Sequence, residues 1–194
     1  MKQILSKIAL ADKEYDLIQE NDIIVVGVSG GKDSTLLLYA LELYRHKYRK
    51  NFKVIGIHVN LGFGEEDFSL IQRFFDDLSI PLYSIESKVS SILHQRLTKD
   101  GRIRCSLCSK FKKALVISEG KKHNCNKVAF AHHADDAVET LLLNMIYGGR
   151  LACFTPIMPL TETGISFIRP FVYTREKDII AAHSVNNLPK IKSG

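Results

Sequence analysis

The 194-residue chain predicts an α/β fold: one doubly wound parallel sheet with helices on both faces. Three observations carry that expectation. Short β-branched runs recur along the chain, the first being Ile23-Ile24-Val25-Val26-Gly27-Val28. Stretches with helical spacing separate them. A glycine turn, Ser29-Gly30-Gly31-Lys32-Asp33-Ser34, directly follows the first run. Strands alternating with helices need crossover connections, and these favour a parallel sheet whose ligands sit beyond the strands' carboxyl ends.

Taken in order, residues 1–20 read as an amphipathic helix with Ile4, Leu5, Ile8, Tyr15 and Ile18 as candidate core positions. The run at 23–28 is a buried strand by its β-branched content. Asp33 to Tyr44 reads as a helix, Phe52 to Asn60 as a second strand, and residues 61–64 as a loop. Glu65 to Leu78 follows as a helix, with Phe68, Ile71, Phe74, Phe75 and Leu78 near helical spacing. Pro81 to Ile85 is a third strand, and 87–104 is polar and ambiguous. Cys105 to Gly120 is a helix, Asn126 to Ala131 a fourth strand, and Ala134 to Tyr147 a helix stopped by Gly148-Gly149. Ile165 to Ile168 forms a short strand, and a last helix runs from Thr174 to Val185.

The chain fits a single domain over 1–194. No apolar run is long enough for a membrane span, and charges interrupt the first residues, so neither membrane insertion nor an export signal is expected. Four cysteines are too few and too unevenly placed for a secreted disulfide scaffold, which points to the reducing cytoplasm. A net charge of +6 favours a polyanionic partner. Basic residues cluster at 45–50, where they suit a helix C-terminus, and at Arg102, Arg104, Lys110, Lys112 and Lys113, where they flank a cysteine pair.

Three motifs carry chemistry. In the first, paired glycines let the backbone turn tightly, and the amides of the following helix, with Lys32, make an anion site suited to phosphate. The order is not a Walker A loop, because Lys32 is followed by Asp33 and the glycine spacing differs. The second is His132-His133-Ala134-Asp135-Asp136 at a strand end. Carboxylates there favour the helix dipole, and could also hold Mg²⁺ against nucleotide oxygens or take a proton. His58, after the second strand, is expected to face the same crevice. The third is Cys105-Ser106-Leu107-Cys108, which spacing alone leaves open between a redox pair, half a zinc site, an iron–sulfur site and two buried thiols.

The SGGKDS loop resembles that of the N-type ATP pyrophosphatases, the PP-loop enzymes of the adenine nucleotide alpha hydrolase-like fold. Together with the H-x-x-D-D element, GRIRCSLCS at 101–109, and Ile168-Arg169-Pro170-Phe171 with Arg175-Glu176-Lys177-Asp178-Ile179, the chain resembles the tRNA 2-thiocytidine synthetase family over nearly its whole length. The resemblance implies a sulfurtransferase that adenylates the C2 oxygen of an anticodon-loop cytidine with ATP and Mg²⁺, then exchanges that oxygen for sulfur by way of a [4Fe-4S] cluster. It assigns catalysis to Lys32, Asp33, Asp136, Cys105 and Cys108. Nucleotide contact falls to Ser29, Gly30, Gly31, Lys32, Asp33, Ser34, His58, His132 and Asp135. Cys105 and Cys108 would hold the cluster, and Asp135 and Asp136 Mg²⁺. Arg102, Arg104, Lys110, Lys112, Lys113 and Arg169 would meet tRNA.

The implied partners are tRNA, a sulfur donor (a cysteine desulfurase or sulfide) and a second copy in a homodimer. The family's third cysteine ligand follows the last helix, and Leu188 to Gly194 lies about where it would stand, so a cysteine-bearing tail is expected beyond. Cys125 and Cys153 are better read as small apolar residues than as that ligand. Two other readings predict different behaviour. A ligase of the tRNA lysidine synthetase type would adenylate the same position without needing Cys105 or Cys108. A nucleotide- and metal-binding regulator would hold ATP without releasing pyrophosphate.

Overall fold

A computed structural model describes residues 1–63, 67–87, 89–90 and 105–191, with backbone alone for Cys105 and Ser106. The elements are α1 (Lys2–Tyr15), β1 (Ile23–Gly27), α2 (Lys32–Tyr48), β2 (Lys53–Asn60), α3 (Ser69–Asp77) and β3 (Leu82–Glu86). Then come α4 (Cys105–Lys122), β4 (Lys127–Ala129), α5 (Ala134–Gly148), β5 (Ile157–Leu160), β6 (Ile165–Ile168) and α6 (Glu176–Val185).

The six strands form one sheet in the order β3-β2-β1-β4-β6-β5. All pairs are parallel except β5 with β6. β1 lies centrally, with Val26 registered on Gly56 of β2 and on Ala129 of β4. The chain builds outward from β1 to β3 and then returns to place β4 on the other side. That reversal between β1 and β4 is where open α/β sheets leave a crevice at their carboxyl edge.

Alternation along β1 divides the core. Ile24 and Val26 face a layer shared with α1, α2, α3 and α6, while Val25 faces a second layer under α4. All three are fully buried, as expected of a central strand covered on both faces. Gly56 lets α2 approach β2 closely: a Cβ there would stand 2.7 Å from Leu38 Cδ2 and 2.6 Å from Leu82 Cδ1.

The first helix is tied down by a buried carboxylate. Asp12 accepts from the Ile18 amide at 2.8 Å, the Tyr44 hydroxyl at 2.6 Å and the Lys50 ammonium at 2.5 Å. A buried charge is tolerable only when so completely paired. Of the expected core positions near the N-terminus, Ile4, Leu5, Ile8 and Ile18 are buried and Tyr15 is half-buried.

The structure differs from the sequence reading in a few bounds. α2 runs one turn past Tyr44 and ends with Arg49 in the left-handed region. The expected helix at 65–78 spans 69–77, and residues 64–66 lie outside those described. The ambiguous stretch 87–104 lies largely outside them too. β5 was not expected: its four residues include Pro159, and a proline in a short run argues against a strand unless it lies at an edge, as it does here. The last helix begins at Glu176 instead of Thr174, because the Thr174 amide is used in a turn to the Phe171 carbonyl.

Candidate active site

The loop after β1 is built by its own side chains. Ser34 Oγ accepts from the Ser29 amide at 3.1 Å, lies 3.0 Å from Ser29 Oγ and donates to the Gly31 carbonyl at 3.1 Å. Thr35 Oγ1 donates to the same carbonyl at 2.9 Å. Gly30 sits at φ +83°, and the Ile191 side chain fills the space a Cβ would need. Gly31 is the N-cap of α2, with no side-chain cap bond. Helix-start amides without a cap are ready to receive an anion.

Lys32 stands over this loop, held 2.9 Å from Glu176 Oε1 and 3.2 Å from both Asp33 carboxylate oxygens. Burial alone would lower its pKa, but the bonds to Glu176 and Asp33 outweigh it and the ammonium sits above its ordinary value. Lys32 in turn pulls the Glu176 carboxyl below its usual range. Glu176 was quoted in the sequence only as part of the Arg175–Ile179 motif. Its position as the first residue of α6, aimed at Lys32, comes from tertiary structure.

The β4–α5 turn is organised by a reciprocal cap. His133 is buried and its Nδ1 accepts from the Asp136 amide at 3.4 Å, while Asp136 Oδ2 accepts from the His133 amide at 2.8 Å. That geometry leaves the Nδ1 lone pair in use as an acceptor, so His133 serves here as a neutral ring. Asp136 also lines the cavity. Asp135 is a correction: its Oδ2 accepts from the Glu176 amide at 2.7 Å, supplying α6 with the cap its own N-terminal residues lack. That bond holds the Asp135 carboxyl below its usual range. Its carboxylate is therefore spent on joining two helices at the point where a metal ligand was expected.

A cavity of about 490 Å³ opens at the carboxyl edge between β1, β2, β4 and α4. Val28, Ile57, Val59 and Phe130 give it apolar walls. Ser29, Asp33 and Ser34 stand at one side, Cys108, Lys112 and Lys113 at another, and His132 and Asp136 at a third. Lys113 lies 5.5 Å from the Phe130 ring centre, and burial followed by the Arg169 charge lowers its pKa. His132 is half-buried beside Phe130 and Phe154, and burial, then Arg169, favours its neutral form. A cavity combining apolar walls, a phosphate-type loop and convergent polar groups has the make-up of a ligand site.

Two further residues depart from expectation. His58 does not face the cavity. It points into the opposite layer, buried, with Nδ1 2.9 Å from the Val28 carbonyl and its ring stacked on Phe68 at 3.8 Å. Its neighbours Ile57 and Val59 line the cavity instead, as strand alternation requires. Arg169 was expected to meet phosphate or RNA, yet it is 7% exposed. Its guanidinium lies 4.8 Å from the Phe154 ring centre and donates to the Thr155 carbonyl. It anchors the 153–156 segment beside His132.

Lys110 is exposed, whereas Lys112 and Lys113 turn inward. Arg102 and Arg104 lie outside the described residues. Cys108 is a free thiol in the cavity wall, and Cys105 is the first residue of α4, one turn earlier. Cys125 is buried at the amino edge of the sheet, and burial raises its thiol pKa. Cys153 is exposed and donates to the Ala137 carbonyl at 3.3 Å. Among the described residues no group of three His, Cys, Asp or Glu converges on a metal position. Cys108 therefore fits a cluster ligand by its place in the cavity wall, and Cys125 does not. No helix among the described residues is long and apolar enough to cross a membrane.

Fold, loop and cavity together define an α/β protein built to hold nucleotide phosphates. A family model described as a PP-loop domain matches residues 2–189. The chain belongs to that family and, within it, to the tRNA 2-thiocytidine synthetases. A tRNA-cytidine(32) 2-sulfurtransferase of Geotalea daltonii is 34% identical over 191 residues, covering 98% of this chain and 75% of that protein. The protein of that name from Photobacterium profundum is 34% identical over 193 residues, and the match spans 63% of its length. Among solved structures, the U34-tRNA thiolase NcsA of Methanococcus maripaludis, determined with its [4Fe-4S] cluster, superposes on the whole chain with a TM-score of 0.76 at 21% identity. The match covers 65% of that protein. The NH3-dependent NAD synthetase of Campylobacter jejuni covers 96% of this chain at a TM-score of 0.57 and 19% identity, with 73% of its own chain matched. The last two likenesses are of fold.

Proposed function

We propose that this chain is an ATP-dependent tRNA sulfurtransferase acting on the C2 position of a cytidine in the anticodon loop. The observation that carries the reading is the shared cavity: the phosphate-type loop and the Cys108 thiol line the same space, with Lys112, Lys113 and Asp136 between them. The relatives named for cytidine 2-thiolation and the fold shared with a cluster-bearing thiolase support it.

ATP would lie with its adenine against Val28, Ile57 and Val59 and its phosphates on the loop. The base's C2 oxygen attacks the α-phosphorus, the α–β bridge breaks, and pyrophosphate leaves. The amides at the start of α2 and the Lys32 ammonium stabilise the charge that builds on pyrophosphate. Lys32 must exchange its bond to Glu176 for the phosphates as they arrive. Adenylation turns a poor leaving oxygen into a good one. Sulfur then adds to C2, the C2–O bond breaks and AMP departs, leaving the thiocarbonyl. Asp136 is the carboxylate placed to hold Mg²⁺ against the phosphates, now that Asp135 is committed to α6. Cys105 and Cys108 would bind the iron–sulfur cluster, which when present supplies a sulfur carrier. Lys112 and Lys113 face the cavity, so they would meet the substrate's anionic groups inside it. The exposed Lys110, with Arg102 and Arg104, would meet the tRNA backbone. The target base must be unstacked to enter, which a loop permits. The remaining partners are a sulfur donor, either a desulfurase or sulfide, and a second copy of the chain, in the reducing cytoplasm.

The test separates the two half-reactions. Anaerobic protein reconstituted with iron and sulfide is given ATP, Mg²⁺, sulfide and unmodified tRNA, and both pyrophosphate and thiolated nucleoside are measured. Lys32→Ala should lower pyrophosphate release by roughly 10²–10³-fold. Cys108→Ser should keep pyrophosphate release and lose the thiolated product. Thiolation that survives Cys108→Ser would overturn the assignment of that thiol and favour a ligase-like chemistry.

A further inference from the structure

α5 is an anomaly for a helix in a water-soluble fold: none of its residues is buried. Val138, Leu142, Leu143, Ile146, Tyr147 and, just beyond the helix, Leu151 are between 49% and 83% exposed. An apolar surface this continuous marks an interaction site. The six side chains expose several hundred Å², on the order of the roughly 800 Å² each partner contributes to a standard interface.

We propose that α5 pairs antiparallel with α5 of a second copy across a two-fold axis. The sequence of the helix is complementary to itself in that arrangement. With the axis between Asn144 and Met145, Leu143 faces Ile146, Leu142 faces Tyr147 and Val138 faces Leu151. At both ends Glu139 faces Arg150. The helix is acidic at its start, with Asp135, Asp136 and Glu139, and carries no basic residue in its last turn, while Arg150 follows directly after. A parallel pairing would set like charges together; the antiparallel one sets opposite charges together and opposes the helix dipoles. Arg150 is exposed and already extended along the helix end, donating to Asn144 Oδ1 at 3.2 Å. A shallow depression between Leu143 and Tyr147, with Gly148 at its edge, offers a seat for a partner side chain. Two-fold pairing of one patch on itself is the commonest closed assembly.

The inference deepens the homodimer included in the functional proposal by locating its interface, and its readout is mass, which does not depend on the chemistry. α5 begins at Asp136, so the partner's Arg150 would arrive one helical turn from the cavity rim. The full chain is passed through size exclusion with light scattering over a concentration series. Wild type should give twice its 21.9 kDa mass. Leu143→Asp should give the monomer with unchanged far-UV circular dichroism, since the side chain is 56% exposed within one chain. Arg150→Glu should weaken self-association about tenfold, and adding Glu139→Arg in the same chain should restore it. A monomer at every concentration, whatever else covers the helix, would overturn the proposal. So would a dimer indifferent to both Leu143→Asp and the charge exchange.

Discussion

At the residue scale, the site is a set of side chains whose neighbours decide what they can do. Asp135 and Asp136 are adjacent and chemically identical, yet one closes α6 through the Glu176 amide and the other lines the cavity. His132 and His133 divide similarly: His133 caps α5, and His132 stands half-buried at the cavity wall. Burial is the main reason that His132 and His183 both lie below the ordinary value of 6.5. The sign of the pH dependence follows. Unfolded, these rings take up protons near 6.5; folded, they do so only at lower pH. The stability they contribute is complete above 6.5 and is lost as pH falls through the depressed folded values. Urea unfolding at pH 7.5 and 5.5 should show a smaller loss for the His132→Gln, His183→Gln double variant than for wild type. Equal losses would remove the histidines from the explanation. The motif containing these residues was plain in the sequence; their division of labour was not, because it depends on where α6 begins.

At the element scale, the loop after β1 is shaped by two segments far apart in sequence. Ser29, Ser34 and Thr35 form its frame, and the segment after α6 lies against it, the Ile191 amide donating to the Gly30 carbonyl at 2.9 Å. Leu188, just before, is buried in the core below. Gly30→Ala should therefore act twice: it places a side chain at positive φ and forces Ile191 away. A loss of about 1–3 kcal/mol in unfolding free energy is expected, together with weaker ATP binding. Gly31→Ala, which meets only Ser29 Oγ at 3.5 Å and has an ordinary negative φ, is the comparison that isolates the effect on stability. Strand–glycine–helix order made this loop readable from local sequence. The Ile191 contact was not readable, because no local pattern reports which distant chain crosses a loop.

At the scale of the whole molecule, alternating strands and helices made the parallel sheet legible, and the β1/β4 reversal set the loop, the HHADD turn and Cys108 around one cavity. What escaped was face and edge. His58 was assigned to the crevice because it ends a strand, but a strand buried on both sides does not declare in sequence which residues face which layer. Arg169 looked like a surface cation and lies under Phe154, since its burial depends on the unexpected β5 and the segment before it. These corrections narrow the site to one arrangement, with phosphates, target base and sulfur meeting between Ser34, Lys113 and Cys108. The most direct measurement of that claim is mass spectrometry of nucleosides from unmodified tRNA incubated anaerobically with the reconstituted chain, ATP, Mg²⁺ and sulfide. A cytidine with its oxygen exchanged for sulfur, absent without ATP, is the predicted result; tRNA whose nucleosides gain no sulfur while ATP is cleaved to pyrophosphate would contradict it.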